Sequence, residues 1–310
     1  MQQESSVMKL FAKILIIVCV ALAVFGCAKK PAKIVFYAGN SVHYWGDHEN
    51  EATCILLEKA VNRAFPDIKT EILYMQKGAT FADIKDATAV VVVAEGGENS
   101  PFKNNEDAVK NLAKSGVNFG ILHYALQPCK KEGEPFIRSI CGGAYETYWS
   151  VNPTWKADIV LDKTHPISNG VADFSLLDEW YFNIRLAENA VSVAKAAPPD
   201  RVRKGRNGAH SGNDYVRQNL GKSETLLWTY WDCTHKAFGF TGGHSVWALK
   251  NDNYRKLLLN AVVWLAKNNV PQNGVDSLAP TYAEMESLIA KPPRRDIESY
   301  KKQLIEKFGK

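Results

Sequence analysis

The first half of the chain alternates short apolar runs with segments whose apolar residues recur at helical spacing. The predicted strands are 33–38, 68–74, 89–94 and 118–123, and the predicted helices are 51–65 and 105–114. The run Ala89 to Ala94 (AVVVVA) is continuously apolar, which is typical of parallel strands buried on both faces. Strands that alternate with helices predict an α/β fold, with helices on both faces of a mostly parallel sheet.

The pattern is less regular in the second half of the chain. The predicted strands there are 157–161, 181–186, 225–230 and 238–241. Residues 253–266 (NYRKLLLNAVVWLA) form a strongly apolar segment with helical spacing, and we expect this helix to pack on the sheet.

A polar segment precedes the last two predicted strands, and a second one follows the helix. Residues 198–222 contain few apolar side chains, so we expect a mobile loop that is either a lid over the site or a solvated insertion. Amphipathic patterns at 281–290 and 296–308 predict helices, which would form a C-terminal appendage over 276–310.

The N-terminus has the features of an export signal. Two lysines precede the apolar run Ile14 to Phe25, whose roughly 12 residues are too few for a membrane-spanning helix. A small residue and then Cys27 end this run, as in the signal peptides of bacterial lipoproteins. We expect residues 1–26 to be removed and Cys27 to carry lipid, with 27–32 as a tether. A cleaved secretory signal or a membrane anchor is the alternative.

The residues after Cys27 bear on the destination of the protein. Ala28, Lys29 and Lys30 place no acidic residue where an aspartate signals inner-membrane retention in some bacteria. We therefore expect a protein of the cell envelope, lipid-anchored in the outer membrane and facing the periplasm, with the lipid as its sole link to the membrane.

Composition narrows the class of function. The hydrophobic fraction of 46% suits one large globular domain, placed at 33–275, and a formal net charge of +5 does not indicate nucleic acid. Cys54, Cys129, Cys141 and Cys233 show no CxxC spacing, so no zinc knuckle is predicted and disulfide pairing stays open. No Gly-x-Gly-x-x-Gly follows a strand, which argues against a nicotinamide oxidoreductase acting alone.

Polar residues follow four of the predicted strands, and ligands of α/β proteins bind at the carboxyl ends of the strands. These residues are His43, Asp47, His48, Glu49, Glu95, His123, Tyr124 and His244. Histidine titrates near neutral pH and suits proton transfer. The predicted catalytic residues are His48, His123, His244 and Glu49, although each one alone has a structural alternative.

Carboxylates beside aromatic side chains, as in Asp178 to Tyr181, suit the binding of a sugar. The predicted substrate-binding residues are His43, Glu95, Tyr124, Glu179, Trp180 and Trp247. Neutral imidazoles and carboxylates at one edge can also form an open site for a divalent metal ion. No compact His-x-x-x-His motif supports a metal, so this alternative stays open.

An ordered set of motifs between Lys33 and Val275 resembles the ThuA-like family, which is named for trehalose utilisation. The matching stretches are Ser41–His43, Gly46–Glu49, Leu122–Ala125, His165–Ile167, Asp178–Tyr181, Gly239–His244, Tyr254–Lys256, Leu259–Ala261 and Trp264. The resemblance implies a flavodoxin-like three-layer sandwich, similar to class I glutamine amidotransferases. Those enzymes carry a nucleophilic cysteine on the sharp turn after a central strand.

The corresponding turn here is His123-Tyr124-Ala125, and Cys129 lies further on without a Gly-x-Cys-x-Gly context. Thiol-based amide hydrolysis is therefore not expected. The resemblance implies a role in the degradation of disaccharides and their 3-keto derivatives, with a functional link to a sugar dehydrogenase.

We therefore expect an envelope lipoprotein that acts on a disaccharide or 3-keto-sugar by His and Glu acid–base chemistry. A non-catalytic carbohydrate-binding lipoprotein is the alternative, and it would use aromatic platforms such as Trp45, Trp180 and Trp247 rather than the histidines. A third hypothesis is an envelope scaffold that holds a partner through the C-terminal helices.

Overall fold

A computed structural model describes residues 31–267, 269–292 and 297–308. The predicted signal peptide and Cys27 lie outside these residues. The strands of the described part are, in chain order, β1 (Lys33–Ala38), β2 (Lys69–Tyr74), β3 (Ala89–Val93), β4 (Asn118–Leu122), β5 (Gly143–Ala144), β6 (Thr154–Leu161), β7 (Phe174–Glu179), β8 (Arg185–Leu186), β9 (Val191–Ala196), β10 (Glu224–Trp231) and β11 (Lys236–Phe240). Its α-helices are α1 (Asn50–Ala64), α2 (Glu106–Lys114), α3 (Glu134–Cys141), α4 (Asp200–Arg203), α5 (Asp214–Gln218), α6 (Asp252–Lys267), α7 (Tyr282–Leu288) and α8 (Ile297–Phe308).

Within the described residues, nine strands form one sheet in the order β2-β1-β3-β4-β11-β10-β9-β6-β7. The first five of these run parallel, so their carboxyl ends lie at one edge. Every residue of β3 is buried, as its continuous apolar run predicts. This half of the sheet is the part that positions the candidate site.

A hydrophobic core lies on each side of the sheet. Along β1, Phe36 belongs to one core and Tyr37 to the other, because side chains alternate across a strand. Leu57 of α1 and Leu258 of α6 pack in the first core, and Ile137 of α3 packs in the second. The predicted three-layer α/β fold is confirmed.

The other four strands of the large sheet extend it by antiparallel pairing. The sequence did not predict β7 or β9, and the strand predicted at 181–186 shrinks to the two residues of β8. In β6, exposed and buried residues alternate along the whole strand. Half-covered strands of this kind mix polar and apolar residues, so their sequence signal is weaker than that of β3.

The segment 198–222 has structure that its composition does not predict. It contains α4 and α5, and Val216 and Arg203 are fully buried. Nη1 of Arg203 lies 2.8 Å from Oε1 of Glu224, and Nη2 donates to the Lys222 carbonyl at 2.6 Å. The expectation that nothing anchors this loop is therefore wrong, because a buried ion pair and one valine do so.

Replacing Arg203 with alanine should lower the free energy of unfolding by about 3 kcal/mol, because the mostly buried charge of Glu224 would lose its cationic partner. Urea denaturation at neutral pH would measure the change. Arg201→Ala, an exposed position of the same helix, is the matched control and should shift stability by less than about 0.5 kcal/mol. Equal effects of the two substitutions would contradict the anchoring role.

The predicted C-terminal helices correspond to α7 and α8. Met285 of α7 and Leu304 of α8 are buried in the first core, which also contains residues of α1 and α6. In the described residues, no helix is long and apolar enough to cross a membrane.

Candidate active site

Five strand ends supply the residues of the candidate site. His48 lies between β1 and α1, Glu95 follows β3, His123 follows β4, and His244 follows β11. Glu179 is the last residue of β7. The site therefore lies at the carboxyl edge of the parallel strands, where ligands of α/β proteins bind.

Four side chains direct nitrogen or oxygen atoms at one another, and we call them the His/Glu cluster: His48, His123, His244 and Glu179. Nε2 of His48 lies 2.9 Å from Nδ1 of His244 and 3.1 Å from Nε2 of His123. Oε2 of Glu179 lies 3.4 Å from both Nε2 of His123 and Nδ1 of His244. Within the cluster, these four atoms all lie within 4.8 Å of one another, which is close enough for one metal ion to contact all of them.

The opposite ring nitrogens are held from outside the cluster. Nδ1 of His48 lies 2.9 Å from Oε2 of Glu95, and Nδ1 of His123 lies 2.8 Å from the carbonyl oxygen of Thr241. Nε2 of His244 is 3.6 Å from the carboxylate of Asp47. These partners fix the ring orientations, so each inner nitrogen faces the cluster.

The backbone is strained at the two buried histidines of the cluster. His48 and His123 both have φ of 50°, in the left-handed region that few residues other than glycine adopt. His123 occupies the turn directly after β4, as the sequence predicted. Gly243 has φ of 118°, and a Cβ there would lie only 3.3 Å from Cβ of His123. Strain of this kind concentrates at functional sites.

Burial and charge set the ionisation of the cluster. Burial, reinforced by the neighbouring imidazoles, lowers the pKa of His48 to about 3 despite its hydrogen bond to Glu95. Burial would raise the pKa of Glu95, but hydrogen bonds from His43 and His48 outweigh it and lower this pKa to about 2. Hydrogen bonds from His123 and His244 likewise overcome burial and lower the pKa of Glu179. Neutral His48 thus lies between the carboxylates of Glu95 and Glu179.

His244 differs from His48. Burial alone would lower its pKa, but hydrogen bonds to Asp47 and Glu179 outweigh burial and raise the pKa to about 10. Acidic side chains therefore surround the exposed side of the cluster, which favours a cation at this position.

Two of the predicted substrate-binding residues border the cluster. The ring of His43 stacks on His48 with centroids 3.8 Å apart, and its Nδ1 lies 3.0 Å from Oε1 of Glu95. Tyr124 meets both rings edge-on, at 5.7 Å from His43 and 5.5 Å from His48. His43 and Tyr124 are partly exposed, so they line an accessible wall of the site.

Three predicted site residues lie elsewhere and are corrected. Trp180 and Trp247 are fully buried, so neither ring can form a platform for a sugar. Both lie under glycines of the site loops, where a Cβ at Gly242 or Gly46 would overlap the indole. The carboxylate of Glu49 accepts a hydrogen bond from the Gly46 amide at 3.0 Å and is not part of the cluster. It stabilises the turn before α1 rather than reaching the site.

Two residues that contact the cluster or its loops were not among the predicted site residues. The carboxylate of Asp178 accepts hydrogen bonds from the amides of Gly243, at 3.1 Å, and Ser245, at 3.3 Å, and so holds the turn that carries His244. The hydroxyl of Tyr181 lies 3.2 Å from Nε2 of His123. The motif Asp178 to Tyr181 had drawn attention, but sequence cannot tell which of its four side chains face the site.

The loop 198–222 reaches the same edge of the sheet. Nδ1 of His210 lies 2.9 Å from the hydroxyl of Tyr145, and the ring of Tyr145 packs edge-on against Tyr181. The backbone amide of Asn152 donates to the backbone carbonyl of His210 at 3.2 Å. The tip of the loop is thus packed beside the site.

Trp180→Phe should lower the free energy of unfolding by about 2 kcal/mol, because the substitution shrinks a buried ring and removes the 3.1 Å hydrogen bond from Nε1 to the Leu176 carbonyl. Urea denaturation followed by circular dichroism measures it. Trp231→Phe is the control, since that ring is 64% exposed, and should change stability by less than about 0.5 kcal/mol. A stability loss no larger than the control's would show that Trp180 is not a core residue.

The fold is an α/β fold like that of class I glutamine amidotransferases. In this chain, however, the turn after the central strand β4 carries a histidine, His123. Cys129 lies apart from the cluster, against the side chain of Glu98. The chain belongs to the ThuA family, described as trehalose utilisation, whose sequence profile matches residues 33–265.

Solved structures show the same fold. A ThuA-like protein from Bacteroides uniformis has 15% identity and a TM-score of 0.57, covering 78% of this chain and 96% of its own. A ThuA-like protein from Parabacteroides merdae has 16% identity and a TM-score of 0.54, covering 83% of this chain and 99% of its own. No curated protein matches this sequence.

Proposed function

We propose that the protein is an envelope enzyme that acts on a disaccharide or a 3-keto-sugar derivative through the His/Glu cluster. One observation carries the proposal: residues as far apart as His48 and His244 bring polar atoms into contact at the sheet edge. Buried polar groups need compensating partners, and two of these histidines also have a strained backbone. A site used for chemistry explains both features.

Family membership supports a sugar as the substrate class. In a keto-sugar, the carbon beside the carbonyl group can lose a proton, because the resulting negative charge moves to the carbonyl oxygen. The neutral imidazole of His48 can accept this proton, and protonated His244 can stabilise the negative charge on the carbonyl oxygen. Since oxidation of a sugar hydroxyl supplies the ketone, a sugar dehydrogenase would be the functional partner.

The alternative, a non-catalytic carbohydrate-binding protein, has less support. It requires exposed aromatic platforms, whereas Trp45, Trp180 and Trp247 are all buried. The side chains that line the accessible wall are instead imidazole, carboxylate and phenol groups.

The proposal predicts that the full chain converts at least one member of a panel of disaccharides and 3-keto-glycosides, with products detected by mass spectrometry. His123→Asn should reduce conversion by about 100-fold or more, because it removes the Nε2 atom in the cluster. Asparagine tolerates the left-handed backbone of this position, and its amide can still donate to the Thr241 carbonyl.

His165→Asn is the matched control, because His165 lies outside the cluster. Its Nδ1 accepts a hydrogen bond from the Ile167 amide at 3.2 Å, and the asparagine oxygen can do the same. Equal conversion by the two variants would contradict a catalytic cluster. Sugar binding without any turnover would favour the carbohydrate-binding alternative.

We also propose that lipid on Cys27 anchors the protein in the outer membrane, facing the periplasm. The support is the apolar run that ends at Cys27 and the absence of an acidic residue in the three positions after it.

Cys27→Ser should move the protein from the membrane fraction to the soluble fraction, because serine has no thiol to accept lipid. Cys233→Ser, at an exposed cysteine of the described domain, is the control and should stay with the membrane. If the Cys27→Ser variant fractionates with the membrane as its parent does, the lipid anchor is wrong.

A further inference from the structure

The two buried imidazoles of the cluster direct their Nε2 atoms at each other. Nδ1 of His48 faces a carboxylate oxygen of Glu95, and Nδ1 of His123 faces the Thr241 carbonyl. Both partners accept hydrogen bonds, so each Nδ1 atom can donate outward, and in the neutral tautomer that does so the Nε2 atom is an acceptor. These two Nε2 atoms are 3.1 Å apart, so in that tautomer no hydrogen lies between them.

The rest of the cluster does not resolve this conflict. A proton on Nδ1 of His244 can satisfy its 2.9 Å contact with His48, and the Tyr181 hydroxyl can donate to His123. The facing Nε2 atoms of His48 and His123 would still lack a hydrogen between them. Glu179 adds a further acceptor at 3.4 Å from His123. A cation at the centre of the cluster would bind all of these converging acceptors.

We propose that the His/Glu cluster is the first coordination shell of one divalent transition-metal ion, with zinc the best match. This inference concerns the site of the proposed function, but it can be tested without a substrate. Ligand atoms that surround zinc as a tetrahedron, each roughly 2.0–2.1 Å from the ion, lie about 3.3–3.4 Å from one another. Four of the six distances between the ligand atoms of the cluster are 2.9 to 3.4 Å, and all six are within 4.8 Å.

The outer contacts match those of metal-binding histidines, whose second ring nitrogen usually donates to a carboxylate or a backbone carbonyl. Glu95 takes this part for His48, and the Thr241 carbonyl does so for His123. Asp47 lies 3.6 Å from the outer nitrogen of His244. Each imidazole therefore has an acidic or carbonyl partner behind it.

The donor set also indicates the kind of ion and its open side. Imidazoles with one carboxylate suit zinc and its first-row neighbours, whereas magnesium and calcium prefer oxygen ligands. The side chains of His244 and Glu179 are 23% and 19% exposed, against 3% for His48. With an ion bound, the inner nitrogens would hold it rather than transfer protons, and the ion could polarise a carbonyl group of a substrate that approaches past the two exposed ligands.

Metal content measured on the full chain, purified without chelators and then incubated with Zn²⁺ and dialysed, tests the inference. We expect about one zinc ion per chain in the parent and in the His165→Asn control. His48→Asn and His123→Asn should retain far less, because each removes one Nε2 ligand and keeps an amide donor for the outer partner. Glu95→Gln should weaken zinc affinity by about 10- to 100-fold, since it removes only an outer contact.

Circular dichroism and thermal unfolding would establish that each variant is folded before its metal content is compared. The inference fails if the parent binds no stoichiometric zinc, or if the folded His123→Asn variant retains as much as the control. Stoichiometric zinc binding without conversion of any sugar would refute the proposed function alone. Sugar conversion by a protein that binds no zinc would refute the metal centre alone.

Discussion

The close approach of His48 and His123 is the constraint on which the site depends. Their Nε2 atoms are 3.1 Å apart in a nearly solvent-free position, and each residue adopts a left-handed backbone. Neither arrangement is favourable for an isolated residue, so the surrounding structure must enforce both. The backbone amide of His48 donates to the carbonyl of His244 at 2.7 Å, which ties the loop after β1 to the loop after β11.

That enforcement comes from the layer beneath the site. Trp180 and Trp247 fill the space under the glycines of the two loops, and a larger residue at Gly242 or Gly46 would push the loops apart. Asp178 holds the turn before His244 through two backbone amides. The large aromatic side chains therefore support the candidate site through packing, although they do not line it.

The sequence predicted what depends on local pattern. The buried run of β3 and the alternation of strands and helices were sufficient for the fold, and strand ends were sufficient to place His48, Glu95, His123 and His244 at one edge. The sequence could not show which side chains at the end of a strand face the site. Carboxylates beside tryptophan suggested a sugar platform, but Trp180 points into the core while its neighbour Glu179 faces the cluster. Tertiary packing, which leaves no local signal, decides between these neighbours.

The two halves of the cluster differ in how they are held. His48 and His123 are fixed by the parallel sheet and by buried partners. Glu179 ends an antiparallel strand, and its other oxygen receives a 3.4 Å contact from the amide group of Asn152. The backbone of Asn152 is in turn bound to His210 in the loop 198–222. The loop can therefore influence Glu179 through Asn152, and it also reaches His123 through the packing of Tyr145 against Tyr181. Within the described residues, His48 has no such link, because Glu95 and the core hold it.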